Sequence, residues 1–140
     1  MNYMKTSWGY VLRLKKGEEI IEIISDLVKH ENIKYGVVQG IGACTHVNIA
    51  YYSMKHQRYM TRSFQGDYEI MSLNGNISWI DNNPKIHLHL MISDDEFRCV
   101  GGHLNSAIVT ATCEVNIFTS ERKVNRVVDS ETGLFLLDLS

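Results

Sequence analysis

The alternation of apolar and polar positions predicts a chain made mostly of β-strands, with one main helix near its start. In the segment GEEIIEIISDLVKHEN, which begins at Gly17, apolar residues recur at helical spacing and form one wide stripe. That stripe consists of Ile20, Ile21, Ile23, Ile24, Leu27 and Val28. Acidic residues precede the stripe and basic residues follow it, which suits the two ends of a helix dipole. We therefore predict a helix over about residues 17–30.

Short apolar runs with period-two alternation, separated by turn residues, predict strands in the remainder of the chain. The predicted strands cover residues 8–14, 35–38, 47–52, 59–64, 68–73, 76–80, 86–92, 98–104, 109–118 and 134–139. Residues 105–111 fit either period, so a second short helix there is an open alternative. One helix and many strands in meander order indicate an α+β fold with a mostly antiparallel sheet, and we expect residues 1–140 to form a single domain.

Two glycine-containing segments are interpreted as turns. Asn74-Gly75 separates two apolar runs, as a hairpin turn would. The segment QGIGA at residues 39–43 is similar to part of a glycine-rich phosphate loop, but the third glycine is missing and no helix clearly follows. We therefore interpret it as a tight turn leaving a strand.

The composition is that of an ordinary globular protein, since 44% of the 140 residues are hydrophobic and 21% are charged. The formal net charge of −2 argues against nucleic acid as a default partner, because proteins that bind phosphate backbones are usually basic. Cys44, Cys99 and Cys113 are odd in number and lack C-x-x-C spacing, so we expect free thiols in a reducing compartment. With no signal segment and no long apolar run, we expect a cytoplasmic protein without a membrane partner.

Three of the six histidines lie within residues 85–104, which read KIHLHLMISDDEFRCVGGHL. Side chains along a strand alternate between two faces, so the three aliphatic residues of IHLHL point to the core and His87 and His89 point the other way. If SDDE forms the turn of a hairpin centred near Asp95 or Glu96, His103 lies opposite one of these two histidines.

Three imidazoles in that arrangement could converge on one metal ion. Opposed residues in a hairpin have Cβ atoms roughly 5 Å apart, and residues two along a strand are about 7 Å apart. Gly101 and Gly102 would leave space for a water molecule or a substrate, so the pattern predicts a three-histidine site with an open position, as in catalytic zinc proteins. The alternative is a set of ordinary exposed strand histidines. Cys99 is about 13 Å from His103 along a strand and is not expected as a ligand.

The segment HLHLMISDDEFRCVGGHL resembles the characteristic segment of the plants-and-prokaryotes-conserved (PPC) domain, also known as the AT-hook-associated domain. The resemblance continues, in the family's order and over nearly the whole chain, through YVLRLKKGEEI, GVVQGIGACTHVNIAYY, GDYEIMSLNGNIS and NRVVDSETGLFLLDL. On these motifs the chain is identified as a member of the prokaryotic, single-domain type.

The resemblance implies an α+β fold related to that of acetolactate decarboxylase and assembly as a homotrimer. It also implies that His87, His89 and His103 bind a metal ion, usually zinc in prokaryotic members. In plants the domain accompanies an AT-hook, a basic Arg-Gly-Arg-Pro-type arm that enters the DNA minor groove, and family members are often labelled DNA-binding for that reason. This sequence has no such run, and its single proline follows Asn83.

Three further residues are candidates for roles beside the ion. Glu69 matches the glutamate of the family's G-x-[FY]-E-[IL] segment and could act as a general base or orient a ligating histidine, although a solvated strand glutamate is an equal alternative. Arg13 and Arg126 interrupt apolar segments. Either arginine could bind an anionic substrate group or form an ion pair across a trimer interface, and we favour the structural role.

The segment SMKHQRYMTRSF is the best nucleic-acid candidate in the chain. It carries Lys55, Arg58 and Arg62 without an acidic residue, interleaved with aromatic side chains. A solvated strand edge that resists aggregation is the simpler interpretation.

Two functions from different classes follow from these features. In the first, a trimeric domain that binds zinc or another divalent transition metal acts on or senses a small molecule, and as an enzyme it would be a zinc-dependent lyase or hydrolase. In the second, the protein is a DNA-associated regulatory interaction module without enzymatic activity. We favour metal binding.

Overall fold

The computed structural model describes residues 2–140, which contain one helix and nine strands. In chain order the elements are β1 (Tyr3–Thr6), β2 (Gly9–Lys15), α1 (Ile20–His30), β3 (Tyr35–Ser53), β4 (Arg58–Phe64), β5 (Tyr68–Ile80), β6 (Asn83–Ser93), β7 (Cys99–Ser120), β8 (Asn125–Val128) and β9 (Phe135–Asp138). Every strand pair is antiparallel except the short contact between β5 and β8. The predicted α+β class with a mostly antiparallel sheet is confirmed. Among these residues, no helix combines the length and the apolar character that crossing a membrane requires.

Helix α1 occupies the predicted segment but begins at Ile20 because Glu19, in an extended conformation, is its N-cap. The Glu19 carboxylate accepts the backbone N–H of Glu22 at 2.7 Å, which satisfies one of the free donors at the helix start. It also accepts the N–H of Ala107 at 3.0 Å, so the cap ties the helix to β7. The predicted apolar stripe supplies the buried face, through Ile20, Ile24, Leu27 and Val28.

Four long strands pair in a closed ring. β3 pairs with β5 on one side and with β7 on the other, and β6 pairs with both β5 and β7. β3 and β7 are 19 and 22 residues long, so β7 also pairs with β2 and β3 also pairs with β4. The buried side chains of these strands and of α1 form one hydrophobic cluster, and the opposite, outer face of the ring carries exposed residues that are both polar and apolar.

Residues 105–111 form part of β7, so the alternative of a second helix is wrong. Their side chains alternate, with Ala107 and Val109 buried and their neighbours less so. Three consecutive β-branched residues, Ile108, Val109 and Thr110, favour the strand because their side chains pack well on a pleated surface.

The two glycine segments interpreted as turns also lie inside strands, so both interpretations are wrong. β3 continues through residues 39–43 with a bulge between Gly40 and Gly42, and β5 continues through Asn74-Gly75. A Cβ atom at Gly42 would lie 2.2 Å from the carbonyl oxygen of Thr112, and one at Gly75 would lie 1.9 Å from that of His87. Glycine is required at both positions for the close approach of a neighbouring strand.

Cys44, Cys99 and Cys113 are free thiols, as predicted. Burial raises the pKa of Cys44 and of Cys113 to about 12, so neither is a reactive thiolate at neutral pH. The cytoplasmic location stays a prediction.

Glu31, which follows α1, accepts hydrogen bonds from the hydroxyls of Tyr3 at 2.6 Å and Tyr10 at 2.9 Å. These bonds, that from Tyr3 first, hold the pKa of the Glu31 carboxyl below its usual range. A lowered pKa stabilises the folded state above the unfolded value of about 4.3, and this contribution is lost as the pH falls through the folded value. We predict that Glu31→Gln lowers the melting temperature at neutral pH and that the difference from wild type shrinks below about pH 4, as measured by circular dichroism.

Glu121→Gln is the matched control, because Glu121 is fully exposed and its ion pair with Lys34 is long, at 3.7 Å. Its melting temperature should follow that of wild type at both pH values. If Glu31→Gln lowers the melting temperature by the same amount in acid as at neutral pH, the charge of the carboxylate is not what stabilises the helix end.

Candidate metal centre

The hairpin formed by β6 and β7 brings the three histidines together. Asp94 fixes its turn, because one carboxylate oxygen accepts the backbone N–H groups of Glu96 and Arg98 at 3.0 and 2.9 Å. The other oxygen accepts Nε of Arg98 at 2.9 Å. The resulting register places His89 directly opposite His103, and the predicted hairpin geometry is confirmed.

The imidazoles of His87, His89 and His103 converge on the outer face of the ring of strands. One nitrogen from each lies within 4.8 Å of the other two. The ring centroids are 5.0 Å apart for His87 and His103, 5.3 Å for His87 and His89, and 5.8 Å for His89 and His103. Leu88 is fully buried, so strand alternation holds its two histidine neighbours on the side away from the core.

Burial keeps two of the three rings neutral. Desolvation, aided by the positive charges of Arg126 and Lys85, lowers the pKa of His87 and of His103 to about 4. The neutral imidazole is the form that binds a metal ion. In addition, Nδ1 of His103 is buried and has no hydrogen-bond partner among residues 2–140. Such an orphaned atom is costly unless a ligand satisfies it, so these residues fit a metal ion.

Arg126, from β8, reaches the histidines through a set of hydrogen bonds and is only 9% exposed. Its Nε donates to the hydroxyl of Ser78 at 2.7 Å, and its Nη1 donates to the carbonyl of Phe135 at 2.7 Å. Its Nη2 donates to Oδ1 of Asn76 at 2.8 Å and lies 3.1 Å from Nδ1 of His87. All four partners are electrically neutral groups of the same chain.

The contact between Arg126 and His87 defines the tautomer of this histidine. A guanidinium can only donate hydrogen bonds, so Nδ1 of His87 is the acceptor and the neutral ring carries its proton on Nε2. Histidines that bind metals almost always donate their other ring N–H to an acceptor. An ion at His87 therefore has to change the contact with Arg126, whichever ring nitrogen is the ligand.

Glu69 and Arg13 do not lie beside the histidines. Glu69 pairs with Ser93, and it is five residues along β5 from the position that pairs with His89, which is about 16 Å at strand spacing. Arg13 is exposed on β2 opposite Glu114, eleven residues along β7 from the third histidine. Within one chain, neither side chain can contact an ion held at the centre.

Gly101 and Gly102 have a different role from the predicted one. A Cβ atom at Gly101 would lie 2.8 Å from the carbonyl oxygen of Leu90, and one at Gly102 would lie 2.7 Å from that of Ala50. The two glycines therefore permit close packing of three strands and do not create open space.

Access to the histidines comes from a cavity of about 350 Å³ beside His87 and His103. It lies between the β3–β4 hairpin and the β8–β9 hairpin, and Tyr52 joins these walls by donating a 2.5 Å hydrogen bond to the carbonyl of Thr132. The ring of Tyr59 lies 5.1 Å from that of His103. The lining residues are Tyr52, Gln57, Arg58, Tyr59, Lys85, His87, His103, Arg126, Gly133, Leu134, Phe135 and Leu136.

Lys85 and Arg58 are candidate functional residues at this cavity; from the sequence, Arg58 is a candidate only for nucleic-acid contact and Lys85 is not a candidate at all. Lys85 precedes His87 by two positions, so strand alternation alone would have placed it on the same face. Arg58 belongs to an edge strand, as predicted, but it also lines the cavity. No local signal connects residue 58 or residue 126 with the histidines, because these contacts depend on long-range pairing.

The sequence matches the model of the Plants and Prokaryotes Conserved (PCC) domain over residues 1–121. The chain therefore belongs to this family, the one that the motifs indicate. No curated protein matches the sequence. Part of the cavity wall, including Arg126 and Phe135, lies beyond the matched region.

Solved structures with this fold include a candidate DNA-binding protein from Ralstonia eutropha JMP134, with 27% identity and a TM-score of 0.94, over 99% of this chain and 96% of that one. A metal-containing protein from Archaeoglobus fulgidus is 32% identical, with a TM-score of 0.87 over 98% and 99% of the two chains. A plant- and prokaryote-conserved (PPC) protein from Pyrococcus horikoshii is 27% identical, with a TM-score of 0.86 over 99% and 96%.

We predict that His87 in the metal-free protein is neutral at pH 7 with its proton on Nε2, because Arg126 donates to Nδ1. Long-range ¹H–¹⁵N NMR distinguishes the two tautomers directly. In Arg126→Gln, whose amide can accept as well as donate, this preference should weaken or reverse.

His56 provides the comparison within the same spectrum, because its ring is exposed and makes no hydrogen bond in residues 2–140. Its resonances should show an average over the two neutral tautomers. A proton on Nδ1 of His87 in the wild-type protein would contradict the assigned contact.

Proposed function

We propose that His87, His89 and His103 together hold one divalent transition-metal ion, and that this ion is zinc. The observation that carries the proposal is the convergence of three imidazole nitrogens within 4.8 Å on one hairpin. The neutral state of two rings and the orphaned Nδ1 of His103 support it. A relative with 32% identity over nearly the whole chain is described as a metal-containing protein.

The chain's own residues would orient the centre and bind a small molecule beside it. In the metal-free chain Arg126 orients the ring of His87 through Nδ1, and Tyr52 and Tyr59 form an aromatic wall of the adjoining cavity. The chemistry that a zinc ion with an open position supplies is Lewis-acid activation of a carbonyl group or of water. An enzyme built on this site would be a zinc-dependent lyase or hydrolase of a small molecule. The fold relation to acetolactate decarboxylase stays a prediction.

We further infer assembly as a homotrimer. Two separate apolar surfaces flank the histidine hairpin, one around Met71 and Phe97 and the other around Tyr51, Met60 and Val100. Phe97 is 88% exposed and lies in the same patch as the exposed Met71, and contiguous exposed apolar surface is typical of interaction sites. Two different patches on one chain suit a closed ring of copies, in which each contact joins unlike surfaces. Sedimentation equilibrium measures the number of copies directly.

Metal content tests the central proposal. Protein purified without an affinity tag, incubated with zinc and dialysed, should retain about one equivalent per chain by elemental analysis. His89→Asn and His103→Asn should each weaken zinc binding at least about 100-fold, since even residues that only orient metal ligands contribute 10–100-fold. Competition with nickel and cobalt would then identify the preferred ion.

The control is His56→Asn, which removes an exposed histidine on the β3–β4 turn without touching the centre. It should bind zinc like wild type, and circular dichroism should show that all three variants are folded. Retention of less than half an equivalent by wild type, or equal losses in all three variants, would overturn the proposal.

DNA association is the second candidate function. It is supported by the description of relatives such as the Ralstonia eutropha protein and by the cations of β4 and its turn, Lys55, Arg58 and Arg62. If it is correct, duplex DNA should be retarded with a steep dependence on salt, and Lys55→Gln with Arg62→Gln should reduce the slope by about two. No retardation even at low salt would exclude it.

A further inference from the structure

The cavity beside the histidines carries an unbalanced positive charge. Its lining contains Arg58, Lys85 and Arg126 but no aspartate or glutamate. Arg126 is the most informative of the three, because the residue is only 9% exposed and all the hydrogen-bond partners of its guanidinium are neutral. A buried charge is costly unless an opposite charge balances it, and no residue of the lining supplies one.

Arg58 and Lys85 have donors available for a ligand. Neither side chain forms an ion pair with a carboxylate of residues 2–140, and neither donates a side-chain hydrogen bond there. Lys85 is only partly exposed and shares the outer face of β6 with His87. Arg126 differs, because three of its nitrogens already donate hydrogen bonds within the chain. It would therefore attract an anion through its charge more than through direct hydrogen bonds.

The remaining lining suits the carbon skeleton of a small molecule. Tyr52 and Tyr59 lie on one wall, and Leu134 and Leu136 on the other. A volume of about 350 Å³ is at the lower end of the range for small-molecule sites. Cations at one side and apolar surface around them favour a compact ligand with one or two acidic groups.

We propose that this cavity binds a small anion, with a carboxylate or phosphate group held by Lys85 and Arg58 above the buried guanidinium of Arg126. This names the substrate class of the proposed metal-dependent function and in that sense rests on it, but the anion site itself requires no metal. Phosphate and carboxylate share the recognition chemistry, namely charge-assisted hydrogen bonds from ammonium and guanidinium donors.

The test measures binding of inorganic phosphate and of succinate, separately, by isothermal titration calorimetry. Each is titrated into metal-depleted protein and into zinc-loaded protein from which free zinc has been removed. We expect saturable binding of at least one anion, with one site per chain, in both forms. Lys85→Gln and Arg58→Gln should each weaken anion binding about tenfold or more, because the loss of one hydrogen bond to a charged group lowers an affinity by about this factor. Whichever anion binds more tightly identifies the acidic group.

Arg62→Gln is the matched control for Arg58→Gln, because both arginines lie on β4 but Arg62 lines a different cavity. Lys55→Gln serves the same purpose for Lys85→Gln. Both controls should bind the anions within about twofold of wild type. Circular dichroism of all four variants separates a loss of binding from a loss of folding.

Three outcomes would overturn the inference. The first is no saturable binding to either form. The second is binding only in the zinc-loaded form with no effect of Lys85→Gln or Arg58→Gln, which would make the anion a simple metal ligand. The third is displacement of the bound anion by a stoichiometric amount of duplex DNA. That result would mean that Arg58 and Lys85 bind the phosphates of a nucleic-acid backbone. Zinc content is measured on the same samples, so a protein that binds the anion but no zinc overturns the metal proposal alone.

Discussion

The antiparallel pairing of β6 with β7 is the constraint on which the candidate site depends. Because side chains alternate along a strand, a shift of the register by one residue would turn His89 towards the core and expose a leucine in its place. Two features oppose that shift. The Asp94 carboxylate closes the turn at a fixed length, and the fully buried Leu88 can be accommodated on only one face. The same pairing closes the ring of four long strands, so the centre is built into the scaffold of the fold.

Elements with a strong local pattern could be predicted from the sequence. The apolar stripe of α1 predicts the helix. The alternation of IHLHL and the polar turn after it predict the hairpin, and together they suffice to place three histidines on one face. The glycines that are required by the approach of a distant strand could not be predicted from the sequence. Gly42, Gly75, Gly101 and Gly102 all lie where another strand approaches too closely for a Cβ atom, and nothing in their immediate neighbours distinguishes this from a turn.

The residues around the histidines were harder to predict for a related reason. Arg126 is separated from Asn76 and Ser78 by about fifty residues, and only the position of β8 beside β5 brings them together. The short strands β1 and β8 were not predicted, because their sequences, YMKT and NRVV, show no alternation of apolar and polar residues. Glu69, in contrast, follows a family motif but lies at the far end of its strand from the centre, because motif membership does not specify a distance.

The candidate site combines three imidazoles with an excess of positive charge. Burial keeps the rings of His87 and His103 neutral, while Arg126, Lys85 and Arg58 raise the local potential and the cavity lining has no acidic residue to offset it. These cations disfavour a bare metal ion and favour one that is accompanied by an anion. The metal proposal and the anion proposal therefore support each other electrostatically, although each can fail independently.

Arg126 is synthesised after the histidines beside which it lies in the folded protein. The ribosome releases the histidine hairpin before β8, and at roughly 5–20 residues per second the interval between residues 103 and 126 lasts on the order of a second or more. During that interval no guanidinium is present to engage Nδ1 of His87. If the proposed ion binds at the three histidines, a chain in which β8 is not yet complete would present His87 without the competing hydrogen bond from Arg126.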